Sequence, residues 1–309
     1  MHDLDSPAIS TDSSFSSHTA SVEKESETAR KSRFTRFPVR VRAHLNPLSN
    51  SQRLFHKSTG SDQSIEIFDE NMRAISSYTL AAKTFSRQWL DLGSAFGGLI
   101  FQLDAQAKDV LLVGLEIRPA CTKYCREKLE DLRLAGTSMD SSRDQESQSP
   151  AKVHFINCNV MRDLGRVIRG QSIEKVFITY ADPHFKARNV RRRLLCESMI
   201  SLIAFVLVRK DPHSTSDVQN GRLYIVTDVK ELMDWMKANL ENFPSLFNQV
   251  GQGLIPSTFE ESPSVEKEST LNNLSTVDSL LPSLIFASED AQRCTRRKLD
   301  RFWAVYERN

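Results

Sequence analysis

The sequence feature that points most directly to chemistry is a glycine-rich stretch, residues 91–98, which lies between a strand-like apolar run and a helix-like apolar run. Glycines in such a turn let a ligand approach the backbone, and the helix that follows offers free N–H groups. No Gly-Lys-Ser/Thr follows, so the stretch is not a phosphate loop for a triphosphate. The pattern predicts a nucleotide-type ligand at the end of the first strand.

An acidic residue ends the next apolar run in a position that suits the same ligand. Glu116 follows residues 110–115, and a carboxylate there can accept hydrogen bonds from both hydroxyls of a ribose. On spacing alone, this arrangement fits NAD and S-adenosylmethionine equally well. A structural turn with a solvated Glu116 is the simpler alternative.

A second polar group lies farther along the chain. Asp182 and Pro183 follow an apolar run at residues 174–180, and this combination gives a stiff, polar loop. Five basic residues come next, within 186–193. Together these residues predict a loop that selects the substrate, beside a basic patch that binds phosphate. Thr227 and Asp228 are a similar polar pair that follows a later strand.

The charge of the chain is nearly balanced, with 41 Lys and Arg against 39 Asp and Glu, a net charge of +2. The distribution is not balanced, because basic residues cluster within 30–42, 186–193 and 293–301 while acidic residues gather elsewhere. Separated blocks of opposite sign indicate a polyanionic partner such as a nucleic acid. Solvated faces of ordinary helices are the alternative for any one cluster.

Strands and helices must alternate to bring these groups together. Periodicity predicts strands at residues 88–92, 110–114, 152–156, 174–180, 221–227 and 302–306, with helices at 99–103, 119–134, 160–169, 194–208 and 230–243. Alternation of this kind predicts an α/β fold with a mostly parallel central sheet covered on both faces. We expect the last strand to be antiparallel, at the far side of the sheet.

The domain organisation follows from composition. Residues 1–32 are Ser-rich and predict a disordered tail, and residues 33–309 predict a single domain with polar loop insertions near 137–150, 211–220 and 257–279. The sequence shows neither a secretory leader nor an apolar run long enough to cross a membrane. Five scattered cysteines predict reduced thiols, and no ligand pair matches Cys121 and Cys125, so no metal is expected.

Six blocks in order resemble one known family, the tRNA (guanine-N7)-methyltransferases, in particular the eukaryotic catalytic subunit. The blocks are Arg42-Ala43-His44-x-Asn46-Pro47, Gly114-Leu115-Glu116-Ile117-Arg118, Asn157-x-Asn159-Val160-Met161, Asp182-Pro183-His184-Phe185-Lys186, Thr227-Asp228-Val229-x-Glu231-Leu232-x-Asp234-Trp235-Met236, and Ser288-Glu289-Asp290 with Phe302-x-Ala304-x-Tyr306-x-Arg308. The resemblance implies a Rossmann-like class I methyltransferase fold, S-adenosylmethionine as cofactor and tRNA as substrate. It also implies a WD-repeat partner subunit and a nuclear location.

The resemblance assigns roles to individual residues of this chain. Asp182 corresponds to the catalytic residue. The implied cofactor-binding residues are Gly93, Glu116, Arg118, Asn159, Val160, Thr179, Ser288 and Asp290. The implied RNA-binding residues are His184, Lys186, Arg188, Arg191, Arg192 and Arg193.

Two positions depart from the family pattern. The turn normally reads Gly-x-Gly-x-Gly-Gly, and Ala95 stands at its second glycine. Ala181 replaces a proline ahead of Asp182, which loosens that loop. Two alternatives therefore accompany the family assignment: a non-catalytic protein that binds tRNA, and a class I methyltransferase that acts on another substrate.

Overall fold

The computed structural model describes residues 45–49, 62–137, 151–210, 219–286 and 288–309. The predicted tail at 1–32 and the basic run at 30–42 lie outside these residues. So do most residues of the predicted insertions at 137–150 and 211–220. Among the helices of the described residues, none is long and apolar enough to span a bilayer.

A seven-stranded sheet is the centre of the described structure. Its strands are β1 (Arg87–Leu92), β2 (Val110–Glu116), β3 (Val153–Asn157), β4 (Lys175–Thr179), β5 (Arg222–Thr227), β6 (Phe247–Ile255) and β7 (Arg301–Arg308). The order across the sheet is β3-β2-β1-β4-β5-β7-β6, and β7 is antiparallel to both of its neighbours. The expected α/β architecture, mostly parallel with an antiparallel last strand, is confirmed.

Helices connect and cover the strands. In the part of the chain that the structure describes they are α1 (Asp62–Thr84), α2 (Gly98–Gln106), α3 (Pro119–Thr137), α4 (Val160–Val167), α5 (Glu197–Val206), α6 (Lys230–Glu241), α7 (Ser264–Val277), α8 (Leu281–Phe286) and α9 (Glu289–Arg297), with 3₁₀ turns at Ala187–Arg192 and Phe259–Glu261. The chain leaves β1 toward β2 and later returns to place β4 on the other side of β1. Such a switch in strand order opens a crevice at the carboxyl ends of the strands, where α/β proteins bind ligands.

The apolar runs of the sequence are the buried strands. Every residue of β2 is buried, as are five of the six residues of β1. Parallel strands covered by helices on both faces lose the alternation of polar and apolar residues, which explains why these runs are continuous.

The edge beyond β5 differs from the expectation, because β7 does not lie at the far side of the sheet. It pairs with β5 on one side and with β6 on the other, so β6 is the edge strand. β6 was not predicted, since most of the residues between its buried ends are polar or glycine and none of them is buried. Gly253 leaves room for Trp303 of β7: a Cβ atom there would lie 2.7 Å from the indole nitrogen.

The insertion at 257–279 was expected to be a loop, and this expectation was wrong: most of it forms α7. Among its 14 residues only Leu274 is buried, so the apolar signal of a helix is absent. The anchor is Asp278, whose Oδ2 accepts hydrogen bonds from Tyr224 Oη at 2.6 Å and Lys175 Nζ at 2.8 Å. Burial raises the pKa of Asp278, but the ammonium of Lys175, the hydroxyl of Tyr224 and the backbone N–H of Leu280 together outweigh burial and hold the pKa below its ordinary value.

Helix α1 covers the opposite edge of the sheet. The side chain of Asn71 donates to the carbonyl of Asn157 on β3 and accepts from the backbone N–H of the same residue, each at 3.1 Å. This pair satisfies edge groups that would otherwise be open to another strand.

Candidate functional site

The turn after β1 adopts an unusual backbone. Gly93, Ala95 and Gly97 have φ angles of 86°, 47° and 77°, and the backbone N–H of Gly93 donates to the carbonyl of Leu115 at 2.8 Å. The second glycine of the family pattern therefore does need a left-handed backbone, which Ala95 adopts at a cost of about 1 kcal/mol. Alanine in place of glycine at residue 95 therefore strains the turn, while the backbone keeps its left-handed conformation there.

The turn has open space beside Gly93 and is closely packed at Gly98. No heavy atom lies within 4 Å of the position that a Cβ atom would take at Gly93, so a ligand can lie against the backbone there. At Gly98 the carboxylate of Glu289 is already so close that a Cβ atom would lie 2.1 Å from its Oε2. Glu289 begins α9, so the C-terminal segment packs against the start of α2.

Glu116 is the most heavily bonded carboxylate of the site. Its Oε2 accepts from the backbone N–H of Ala95 at 2.9 Å and from Arg118 Nη2 at 3.1 Å. Its Oε1 accepts from the backbone N–H and the Nε of Arg118, both at 2.8 Å. The side chain is 4% exposed. These bonds hold the end of β2 to the turn after β1.

A third wall comes from β3 and the segment at 45–49. Asn159 precedes α4, and its Nδ2 donates to the carbonyl of Pro47 at 2.6 Å. Arg162 donates to the carbonyl of Leu48 at 2.5 Å. The described part of the N-terminal signature block therefore lies against the Asn159 block.

The loop after β4 is held from several directions. Tyr180, at φ 54°, donates from its hydroxyl to the carbonyl of Ile285 at 2.9 Å. His184, at φ 44°, donates its backbone N–H to Asp182 Oδ1 at 3.3 Å, and its Nε2 lies 3.6 Å from Asp182 Oδ2. Arg193 Nε donates to the carbonyl of Pro183 at 2.8 Å. The loop is fixed although Ala181 stands where the family has proline.

These elements line a cavity of about 150 Å³ that is open at its mouth. Eight of the predicted residues line it, and they are Gly93, Glu116, Arg118, Asn159, Val160, Asp182, His184 and Arg192. The structure thus brings the predicted catalytic residue and most of the predicted cofactor residues to one place.

The other three predicted cofactor residues do not line the cavity. Ser288 caps α9, where its Oγ accepts from the backbone N–H of Ala291 at 3.1 Å. Asp290 pairs with Arg293 at 3.2 Å and is 45% exposed. Thr179 is the last residue of β4. A role for these residues at the cofactor stays a prediction.

The predicted RNA-binding residues divide into two groups. Lys186, Arg188 and Arg191 are exposed. Arg193 is only 9% exposed, and its guanidinium lies 5.0 Å from the ring of Trp235 and holds Pro183. Arg193 positions the loop after β4, and a contact between Arg193 and RNA stays a prediction. The sequence missed this because all five cations share one run.

Sequence reasoning also missed Asp91 and Ser94. Both side chains are buried, and Asp91 Oδ1 and Ser94 Oγ have no hydrogen-bond partner among the described residues. Burial, together with the nearby carboxylates of Glu116 and Glu289, raises the pKa of Asp91 to about 8. An acid that ends a buried strand directly before a glycine turn was the available signal.

The described residues hold no group of His, Cys, Asp and Glu side chains with the spacing of a metal site. Cys121 and Cys125 are buried on α3, and burial raises the pKa of both thiols. Cys125 Sγ lies 3.6 Å from the carbonyl of Ala95 and supports the turn.

The strand order and the cavity at the switch point define the class I methyltransferase fold. A family model described as "Putative methyltransferase" matches residues 86–276. The chain belongs to this methyltransferase family and is an enzyme, as the resemblance predicted.

Curated relatives cover most of the chain. A tRNA (guanine-N(7)-)-methyltransferase of Candida glabrata is 27% identical over 269 residues, 87% of this chain and 79% of the relative. One of Arabidopsis thaliana is 28% identical over 270 residues, 87% of this chain and 89% of the relative. One of Anopheles gambiae is 28% identical over 218 residues, 71% of this chain and 75% of the relative.

The raised pKa of Asp91 gives a pH-dependent stability. Between the ordinary value of 3.8 and about 8 the native state keeps a proton that the unfolded state has released, so this carboxyl's contribution to stability is complete below about pH 4 and lost by about pH 8. Raising the pH from 5 to 8 should lower the free energy of unfolding of the unsubstituted protein through Asp91. In Asp91→Asn we expect this decrease to be smaller by about a few kcal/mol. Urea unfolding at both pH values measures this difference.

The matched control is Asp234→Asn, since Asp234 is 58% exposed on α6. Its pH dependence should equal that of the unsubstituted protein. A pH dependence of Asp91→Asn indistinguishable from the control would show that Asp91 is ionised throughout this range.

Proposed function

We propose that this chain transfers a methyl group from S-adenosylmethionine to N7 of a guanosine in tRNA, in the variable loop, and produces 7-methylguanosine. The observation that carries this proposal is that Glu116 and Asp182 line the same cavity, beside an exposed basic segment. The carboxylate of Glu116 can bind the ribose of a nucleoside cofactor, and that of Asp182 can bind a base. The cations can bind a phosphate backbone. The names of the curated relatives support the same reaction.

The residues of the cavity fit S-adenosylmethionine. The open space at Gly93 admits a ligand against the backbone. Glu116 would hold the ribose, with Asn159 and Val160 beside the adenine. The cofactor supplies a methyl group activated by a sulfonium.

Arg118 has a further part in this arrangement. Each oxygen of Glu116 already accepts two hydrogen bonds, which fills its lone-pair directions. Ribose hydroxyls can therefore bond to this carboxylate only when the guanidinium of Arg118 moves aside. Its backbone N–H can stay in place and keep the carboxylate oriented.

The reaction needs orientation more than acid–base chemistry. Guanine N7 carries a free lone pair, so no proton has to leave before it attacks, and the rate comes from holding N7 in line with the methyl group. The purine gains positive charge during transfer, which the carboxylate of Asp182 stabilises while it accepts from the Watson–Crick edge. His184 contacts Asp182 and acts by positioning it rather than as a general base.

Lys186, Arg188 and Arg191 provide the exposed charge for the tRNA backbone. Phosphate contacts of this kind fix the register of the RNA and make its affinity depend on salt. Arg192 lines the cavity, so it lies between the backbone-binding cations and the reacting base.

A WD-repeat partner subunit and a nuclear location complete the proposal. Both derive from the family resemblance, and the basic run at 30–42 is compatible with nuclear import.

A methylation assay tests the proposed reaction. The full chain, with and without a WD-repeat protein, is incubated with tRNA and methyl-labelled S-adenosylmethionine, and the nucleosides are separated. We expect the label in 7-methylguanosine, and none when 7-deazaguanosine replaces guanosine, because that base lacks N7. Binding of tRNA without any transfer would instead identify a non-catalytic tRNA-binding protein, and label elsewhere another methyltransferase.

Asp182→Ala tests the role of the carboxylate. We expect kcat to fall by about 10²–10³, the usual loss when one group that stabilises transition-state charge is removed. The Kd for tRNA should change little, since the cations that bind the backbone remain. Single-turnover methylation and filter binding measure the two quantities.

Asp234→Ala is the control for this substitution as well, and it should leave kcat unchanged. Equal losses of kcat and tRNA affinity in Asp182→Ala would contradict the assigned role, because they would mean that Asp182 only binds RNA.

A further inference from the structure

Phe185 is an exposed aromatic side chain at the edge of the site. It is 72% exposed, whereas most phenylalanines of the described chain are buried or half-buried. Single exposed apolar residues are common and need no explanation by themselves. The surroundings of Phe185 indicate a role for its exposed ring.

The backbone holds Phe185 out toward solvent. His184 has a left-handed backbone at φ 44°, its side chain is 8% exposed, and its backbone N–H bonds to Asp182. Arg193 fixes the carbonyl of Pro183 two residues before Phe185. Because His184 turns inward on a fixed loop, its neighbour is presented outward at small entropic cost.

Phe185 directly follows cavity-lining residues in the chain. Asp182 and His184 line the cavity on one side of it, and the exposed Lys186 and Arg188 follow on the other side. The sequence has no acidic residue between 183 and 196. A lone aromatic ring among cations suits a nucleic acid better than a protein surface, since bases stack on aromatic rings and phosphates bind cations.

We propose that Phe185 is the stacking surface for the guanine that receives the methyl group; this inference rests on the proposed function. The reacting base must leave its own stack to reach the cavity. An aromatic ring binds the face of a base and leaves its edges free. N7 can then point at the methyl group while Asp182 accepts from the Watson–Crick edge.

Kinetics of substituted proteins provide the first measurement. Phe185→Trp keeps an aromatic face and should retain kcat/KM for tRNA. Phe185→Leu keeps apolar bulk without the ring and should lower kcat/KM roughly 5- to 150-fold, the range for loss of one base stack. Calorimetric titration with S-adenosylhomocysteine should give the same affinity for all forms, which shows an intact cofactor site.

Phe205→Leu is the matched control, since Phe205 is also exposed, at 53%, and lies on α5 away from the cavity lining. It should keep full kcat/KM. Equal kcat/KM for Phe185→Leu and Phe205→Leu would overturn the proposal.

Fluorescence provides a readout that does not depend on turnover. A tRNA with 2-aminopurine at the variable-loop guanosine stays dark while that base is stacked. We expect it to stay dark on the unsubstituted protein and to brighten on Phe185→Leu. Lower kcat/KM without brightening would overturn stacking on the target base and would point to contact with another base or with a protein partner.

The two readouts separate this inference from the proposed function. If the unsubstituted protein makes no 7-methylguanosine but brightening still depends on Phe185, the methylation proposal fails and stacking stands. If 7-methylguanosine forms and neither readout depends on Phe185, the methylation proposal stands and stacking fails.

Discussion

The site depends on the buried carboxylate of Glu116, which accepts hydrogen bonds from the backbone N–H of Ala95 and from Arg118. It joins the turn after β1 to the end of β2, two strands that are parallel neighbours in the sheet. Without the bond from Ala95 this buried carboxylate would lose one of its four hydrogen bonds, and a lost partner is costly for a buried charge. The constraint explains why Ala95 keeps a left-handed backbone despite its Cβ atom: its N–H must point at Glu116.

The cavity has two fixed walls with different roles. Glu116 and the turn form the wall that we propose for the cofactor, and backbone N–H groups that follow β1 and β2 hold it. Asp182 lies on the other wall, in a loop that Tyr180 and Arg193 hold from opposite ends. A transfer that needs no general base is limited by geometry, so rigidity of both walls is the main contribution of the protein. In the proposed function, the cations beside the second wall place the RNA.

Much of this arrangement could be predicted from the sequence, because apolar runs identify buried parallel strands and the carboxyl ends of such strands meet at one edge. The acidic Glu116 and the Asp182 loop were found in this way. Strand β6 and helix α7 were missed, since an edge strand that is buried only at its two ends and a surface helix bury few side chains. The buried role of Arg193 could not be distinguished within a run of cations, because only the fold shows which of them turns inward.

Calorimetric titration of S-adenosylhomocysteine into the full chain and into Glu116→Gln tests the central claim most directly. The substitution keeps the shape of the side chain and removes its charge. We predict one site per chain and an affinity about 10- to 150-fold weaker in Glu116→Gln, the value of a hydrogen bond to a charged group. Glu174→Gln, at the opposite end of the sheet beside Arg87, should bind as the unsubstituted protein does. Equal affinity in Glu116→Gln would contradict the account, because the cofactor would then not bind at this carboxylate.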